Sequence, residues 1–109
     1  MGINAFTKTG NTVTFTASTS APAAVQCESS TLGGNQYRVI NAGTVMVFLG
    51  YGTTADAANS AATLVSSSQP AFPLLPNTDE ILTFVPNAYF TGITASGNAV
   101  VYVTPGDGL

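Results

Sequence analysis

Residues 12–16, Thr12-Val13-Thr14-Phe15-Thr16, alternate strictly between hydroxyl-bearing and apolar side chains. A period of two belongs to a strand, so Val13 and Phe15 share one face and the three threonines share the other. Similar short runs of β-branched and aromatic residues recur along the chain, separated by clusters of Gly, Asn, Pro and Ser. That punctuation predicts an all-β chain of about eight short antiparallel strands.

The runs can be placed one by one. Ile3 to Thr7 reads as a strand, joined to the threonine strand by a tight hairpin at Gly10-Asn11. Ala23 to Glu28 is a weaker strand with Val25 and Cys27 in phase. Gly33-Gly34-Asn35 breaks the chain before the strand Tyr37 to Asn41. Strands are further expected over Thr44 to Leu49, Glu80 to Val85, Tyr89 to Ala95 and Ala99 to Thr104, with Ser96-Gly97-Asn98 as a hairpin turn. Pro70, Pro73 and Pro76 mark an extended passage suited to a sheet edge or a crossover. No composition shift or fixed-period repeat divides residues 1–109, so one domain is expected, a two-sheet β-sandwich or jelly roll.

Gly50 to Gln69 stands apart, being rich in Ala, Ser, Thr and Gly. Ala55 to Leu64 holds enough alanine for a helical turn, with Asp56 in its first turn, but too little apolar mass for a buried helix. The segment is read as an elaborated loop, with a short strand over Ala62-Thr63-Leu64-Val65.

Val45 to Leu49 is the most apolar segment, and it is apolar on both faces: Val45, Val47 and Leu49 on one, Met46 and Phe48 on the other. A sheet with one wet face shows polar residues on that face. The second face of this strand is therefore expected to meet another layer, a loop or a neighbouring subunit. Met46 and Phe48, with the terminal Leu109, are the candidate oligomer or partner interface.

Charge sharpens that expectation. The chain carries two basic residues, Lys8 and Arg38, five acidic ones and no histidine, so 6% of it is charged. About 25% is usual. A folded chain of 11.0 kDa exposes roughly 5,600 Å², so each charge serves about 800 Å², close to one partner's share of a standard interface. Either the surface is unusually neutral or much of it is covered. Two cations cannot neutralise a run of phosphates, which excludes electrostatic binding of nucleic acid or an anionic membrane. At 45% hydrophobic residues and a net charge of −3 the chain should fold rather than remain disordered. No apolar run approaches the roughly 20 residues that span a bilayer. The first seven residues have neither a basic region nor an apolar core, so no secretory signal is expected there.

Little supports chemistry. Without histidine no Ser–His or Cys–His nucleophile can be assembled. Asp79 and Glu80 are adjacent, so in a strand they face opposite ways and suit turn formation and edge solubility better than shared acid–base work. The five carboxylates match no calcium-loop spacing and zinc ligands are missing, so neither metal nor cofactor is expected. The one cysteine, Cys27, reads as a small buried hydrophobe rather than a reactive thiol. No enzymatic activity is expected. Thr12, Thr14 and Thr16 form a row able to lie on carbohydrate or ice, although threonines on a wet strand face are common. Tyr37, Tyr51, Tyr89 and Tyr102 are available for stacking on sugars, with ordinary packing the simpler use.

The stretch Tyr37-Arg38-Val39-Ile40-Asn41-Ala42-Gly43-Thr44, followed by Val45-Met46-Val47-Phe48-Leu49-Gly50, resembles small virion proteins of tailed bacteriophages. So do the Leu74-Leu75-Pro76-Asn77 turn, the strands Glu80 to Pro86 and Phe90 to Ala95, and the ending Ala99 to Leu109 with its terminal Thr-Pro-Gly-acid-Gly. The resemblance covers Tyr37 to Leu109. It implies a β-sandwich or jelly-roll head decoration (cement) protein that binds the outer capsid surface between coat subunits and braces the shell. Its partners would be the major capsid protein and itself, as a homodimer or homotrimer. It would be made in the bacterial host cytoplasm and reside on the virion. The alternative is a tail or head-fibre recognition module binding host-surface glycan.

Overall fold

The computed structural model describes residues 7–8, 10–28, 36–62 and 71–107. Its strands are β1 (Thr7–Lys8), β2 (Val13–Ala17), β3 (Val25–Gln26), β4 (Gln36–Asn41), β5 (Val47–Gly52), β6 (Phe72–Leu74), β7 (Thr78–Thr83), β8 (Tyr89–Ile93) and β9 (Ala99–Asp107). One helix, α1 (Ala55–Ala61), lies between β5 and β6. The fold is an all-β sandwich, and every pair of named strands is antiparallel.

The pairing has a simple logic. β5 pairs with β6, β4 with β7, β3 with β8 and β2 with β9. The chain is thus one long hairpin with its tip between β5 and β6. Rolling that hairpin adds the pairs β4–β9 and β5–β8, giving sheets ordered β2-β9-β4-β7 and β3-β8-β5-β6. This is the winding of a jelly roll.

Two predicted hairpins are corrected by this winding. β1 and β2 do not pair with each other; both run along β9, as two arms of one edge strand. Between Lys8 and Val13 the edge chain has four residues where β9 has two, Thr104 and Pro105. Gly10-Asn11 therefore lies in a bulge. Ser96-Gly97-Asn98 is no hairpin either, because β8 and β9 belong to different sheets. Turn residues specify that the chain bends, and the bend here carries it across the sandwich. The predicted β6 edge holds: Pro73 sits in the outermost strand of its sheet. Ile3 to Phe6 and Gly33-Gly34-Asn35 lie outside the described residues.

The inner faces supply one core, in which Phe15, Tyr37, Val39, Val101 and Val103 of the first sheet meet Val47, Leu49, Leu74 and Phe90 of the second. Tyr37 meets Phe90 edge-on at 4.9 Å, and Tyr51 stacks on Phe90 at 5.9 Å. Threonines 12, 14 and 16 point outward, as their alternation predicts.

The Gly50 to Gln69 reading also needs correction. Gly50 and Gly52 end strand β5, and α1 follows, capped by the Thr54 hydroxyl accepting from the Ala57 amide at 3.1 Å. The helix needs little apolar mass because the strand beneath it lacks side chains. A Cβ on Gly50 would stand 2.4 Å from the Ala58 carbonyl oxygen, and one on Gly52 would stand 2.6 Å from the Ala57 Cβ. Two glycines in alternate positions let the helix lie directly on the sheet. Of the strand expected over residues 62–65, only Ala62 is described, and it is the C-cap of α1.

Candidate interaction surface

The two outer faces of the sandwich differ. On the β3-β8-β5-β6 sheet, α1 covers Gly50 and Gly52. The Thr91 hydroxyl, buried on the same face, donates to the Pro22 carbonyl at 2.8 Å. What remains of this face is Phe48, flanked in register by Pro73 and Ile93, and the half-buried Tyr89 and Gln26 beside Gly52. Phe48 is half-buried. Met46 precedes β5 and is also half-buried. The twice-apolar segment thus finds part of its second layer within its own chain. Leu109 lies outside the described residues.

No helix or strand of the described residues covers the outer face of the β2-β9-β4-β7 sheet. The registers lay out its rows. Thr14, Tyr102, Ile40 and Asp79 form one row across the four strands. Thr104, Arg38 and Ile81 form the next, extended by the Thr12 hydroxyl, 2.7 Å from that of Thr104. Thr16 and Val100 form a third. Ile81 is 53% exposed, Tyr102 41% and Val100 36%, with Ile40 half-buried among them.

This face carries few charges. Arg38 and Asp79 pair with each other, Nε to Oδ2 at 2.9 Å. Both are about half exposed, so the pair contributes little stability and serves chiefly to cancel charge. Lys8 lies at the rim, in a further row with Gly106, Gln36 and Thr83. Glu28 and Asp56 are exposed elsewhere. Glu80, in β7, stands opposite Val39 at a core-side position of an edge strand. It is exposed there, and a charge at such a position discourages non-specific sheet pairing.

Chemistry is sparse. Among the described residues no three His, Cys, Asp or Glu side chains come together. A recess of about 210 Å³ is lined by Asn11, Val13, Gln26 and Glu28 and holds one carboxylate. Cys27 is fully buried, its thiol 3.6 Å from the Val103 carbonyl oxygen, and burial pushes its pKa up to about 12. It therefore packs as a small apolar side chain. No helix of the described residues is long and apolar enough to cross a membrane.

The sequence reading picked Met46 and Phe48 and missed Ile81, Val100 and Tyr102, which are more exposed. The signal was the one used for Val45 to Leu49. Val100-Val101-Tyr102-Val103 is also continuously apolar, and Ile81-Leu82 puts apolar side chains on both faces of β7. Comparison with known protein families, characterised proteins and solved structures finds no match.

Proposed function

We propose that this chain is a structural virion protein, a capsid decoration or cement protein that binds the outer capsid surface between coat subunits and stabilises the head. The observation that carries the reading is the sparsely charged outer face of the β2-β9-β4-β7 sheet, with Ile81, Val100 and Tyr102 exposed between threonine rows and Lys8 at its rim. Covering its apolar residues gains about 25 cal/mol per Å². Against this stands the cost of desolvating the threonine hydroxyls and the Arg38–Asp79 pair, which is kept small where the partner supplies hydrogen bonds. Cementing needs no catalysis. A small domain touching two coat subunits makes their separation break its own contacts as well, so modest faces add up through multivalency. On this reading the partner is the major capsid protein and the site of action is the virion surface.

Purified chain should co-sediment with preformed expanded shells and not with free coat subunits, and Ile81→Asp with Tyr102→Asp should abolish the binding. Absence of binding to shells, or full binding by the double variant, contradicts the proposal. The glycan-binding alternative draws on the one exposed aromatic among the described residues, Tyr102. Glycan-array binding lost in Tyr102→Ala would favour it instead.

A further inference from the structure

Three of the four sheet edges carry devices that prevent a further strand from adding. The β1/β2 edge is bulged opposite Pro105. β3 pairs over two residues, and β6 contains Pro73. Bulges, short strands and proline are the usual ways of closing an edge. β7 carries only Glu80 against non-specific pairing, and its backbone is open: six residues without Pro or Gly, paired with β4 in unbroken register from Thr78 to Thr83. Its central outward side chain, Ile81, is 53% exposed.

Among the described residues no strand pairs with the outer side of β7, and the registers show which of its backbone groups point that way. The Ala42 amide donates to the Val100 carbonyl at 2.9 Å, which continues the β4–β9 register. In an antiparallel ladder, bonding direction alternates residue by residue. Gln36, Arg38 and Ile40 therefore bond toward β9, and Tyr37, Val39 and Asn41 toward β7. Their β7 partners Leu82, Glu80 and Thr78 spend their backbone groups on β4. The backbone groups of Asp79, Ile81 and Thr83 face outward.

We infer that this edge pairs with the same edge of a second copy, antiparallel about a two-fold axis at Ile81, joining the two β2-β9-β4-β7 sheets into one. Side chains on one face must meet side chains on the same face, which leaves two registers with five paired residues. One sets Glu80 against Glu80, a like-charge contact that opposes pairing. The other sets Ile81 against Ile81, Asp79 against Thr83 and Glu80 against Leu82, with no like charges opposed. In that register each outward amide of Asp79, Ile81 and Thr83 meets an outward carbonyl. The contact is isologous, as a closed dimer requires. It also enlarges the apolar face: four strands spaced 4.8 Å apart and six residues long cover roughly 400 Å². Two copies cover roughly 800 Å², one partner's share of a standard interface. The inference concerns the free chain, so it and the capsid proposal can fail separately.

The test is sedimentation equilibrium of the purified chain with disulfide mapping. Wild type should be a dimer. Ile81→Pro removes an outward amide while sparing the ladder to β4, and should weaken the dimer at least tenfold. Ile81→Cys should cross-link to itself under mild oxidation, facing Cα atoms lying about 5.5 Å apart. Thr83→Cys should not cross-link to itself, its mate lying about 13 Å along the strand, but should do so when mixed with Asp79→Cys. Buried Cys27 stays in place. A monomeric wild type, an Ile81→Pro dimer of unchanged affinity, or failure of Ile81→Cys to cross-link overturns the inference.

Discussion

The Tyr37 hydroxyl, on β4, accepts a hydrogen bond from the Ala88 amide at 3.1 Å while donating to the Val85 carbonyl, so one buried side chain of the first sheet holds the turn leading into the second. Removing the oxygen leaves both backbone groups without that partner inside the protein. Tyr37→Phe should cost about 1–3 kcal/mol, with the fold retained because Phe preserves the edge-on contact with Phe90. Urea unfolding read by circular dichroism measures it. Wild-type stability would show that the hydroxyl holds nothing.

Asn41 performs a similar task at the other end of β4. Its side-chain amide donates to the Val45 and Leu74 carbonyls at 2.9 and 3.0 Å, and its oxygen accepts from the Gly43 amide at 2.9 Å. Asn41→Leu keeps the branching and the number of side-chain heavy atoms but is bulkier and strands three backbone groups. The expected loss is on the order of 3 kcal/mol, larger than for Tyr37→Phe in the same urea experiment.

Stability should fall in alkali. Cys27 is raised to about 12 from 9.0, and Tyr37 is raised above 10.0, each chiefly by burial. Above pH 9 the unfolded chain releases protons that the folded chain keeps. Stability from these groups is therefore complete below pH 9 and declines as pH rises toward 12, by up to about 1.4 kcal/mol per pH unit for each group titrating. Cys27→Ala should remove the earlier part of the decline. A pH series of unfolding midpoints from 7 to 11 checks the sign.

Helix α1 rests on the bare backbone of β5. Gly50→Ala places a methyl group 2.4 Å from the Ala58 carbonyl oxygen, so the helix must lift. The expected cost is about 1–3 kcal/mol, with amide exchange accelerated at residues 57–62 and unchanged in β4 and β9. Uniform acceleration across both sheets would contradict a local role for the glycine.

These glycines also mark where the sequence stopped being legible. Alternation in Thr12 to Thr16 fixed which side of β2 is wet, because strand sterics are local. The helix was missed because its seat is an absence of side chains on a neighbouring strand, which no apolar count within residues 55–64 registers. The two misread hairpins share a cause: Gly10-Asn11 and Ser96-Gly97-Asn98 encode a bend, while the sheet that receives the next strand depends on pairings many tens of residues away. The exposed face was within reach, since Val100 to Val103 carries the same doubled apolar pattern as Val45 to Leu49. Met46 and Phe48 drew attention first because their segment is the more apolar of the two.

The proposal is that the sparsely charged outer face of the β2-β9-β4-β7 sheet is covered by coat protein on an assembled head. Cryo-microscopy of the particle containing this chain tests it directly. The account predicts jelly-roll density on the outer shell, between coat subunits, with Ile81, Val100 and Tyr102 against the coat. Density confined to the tail, or a shell-bound chain with that face turned to solvent, would contradict it.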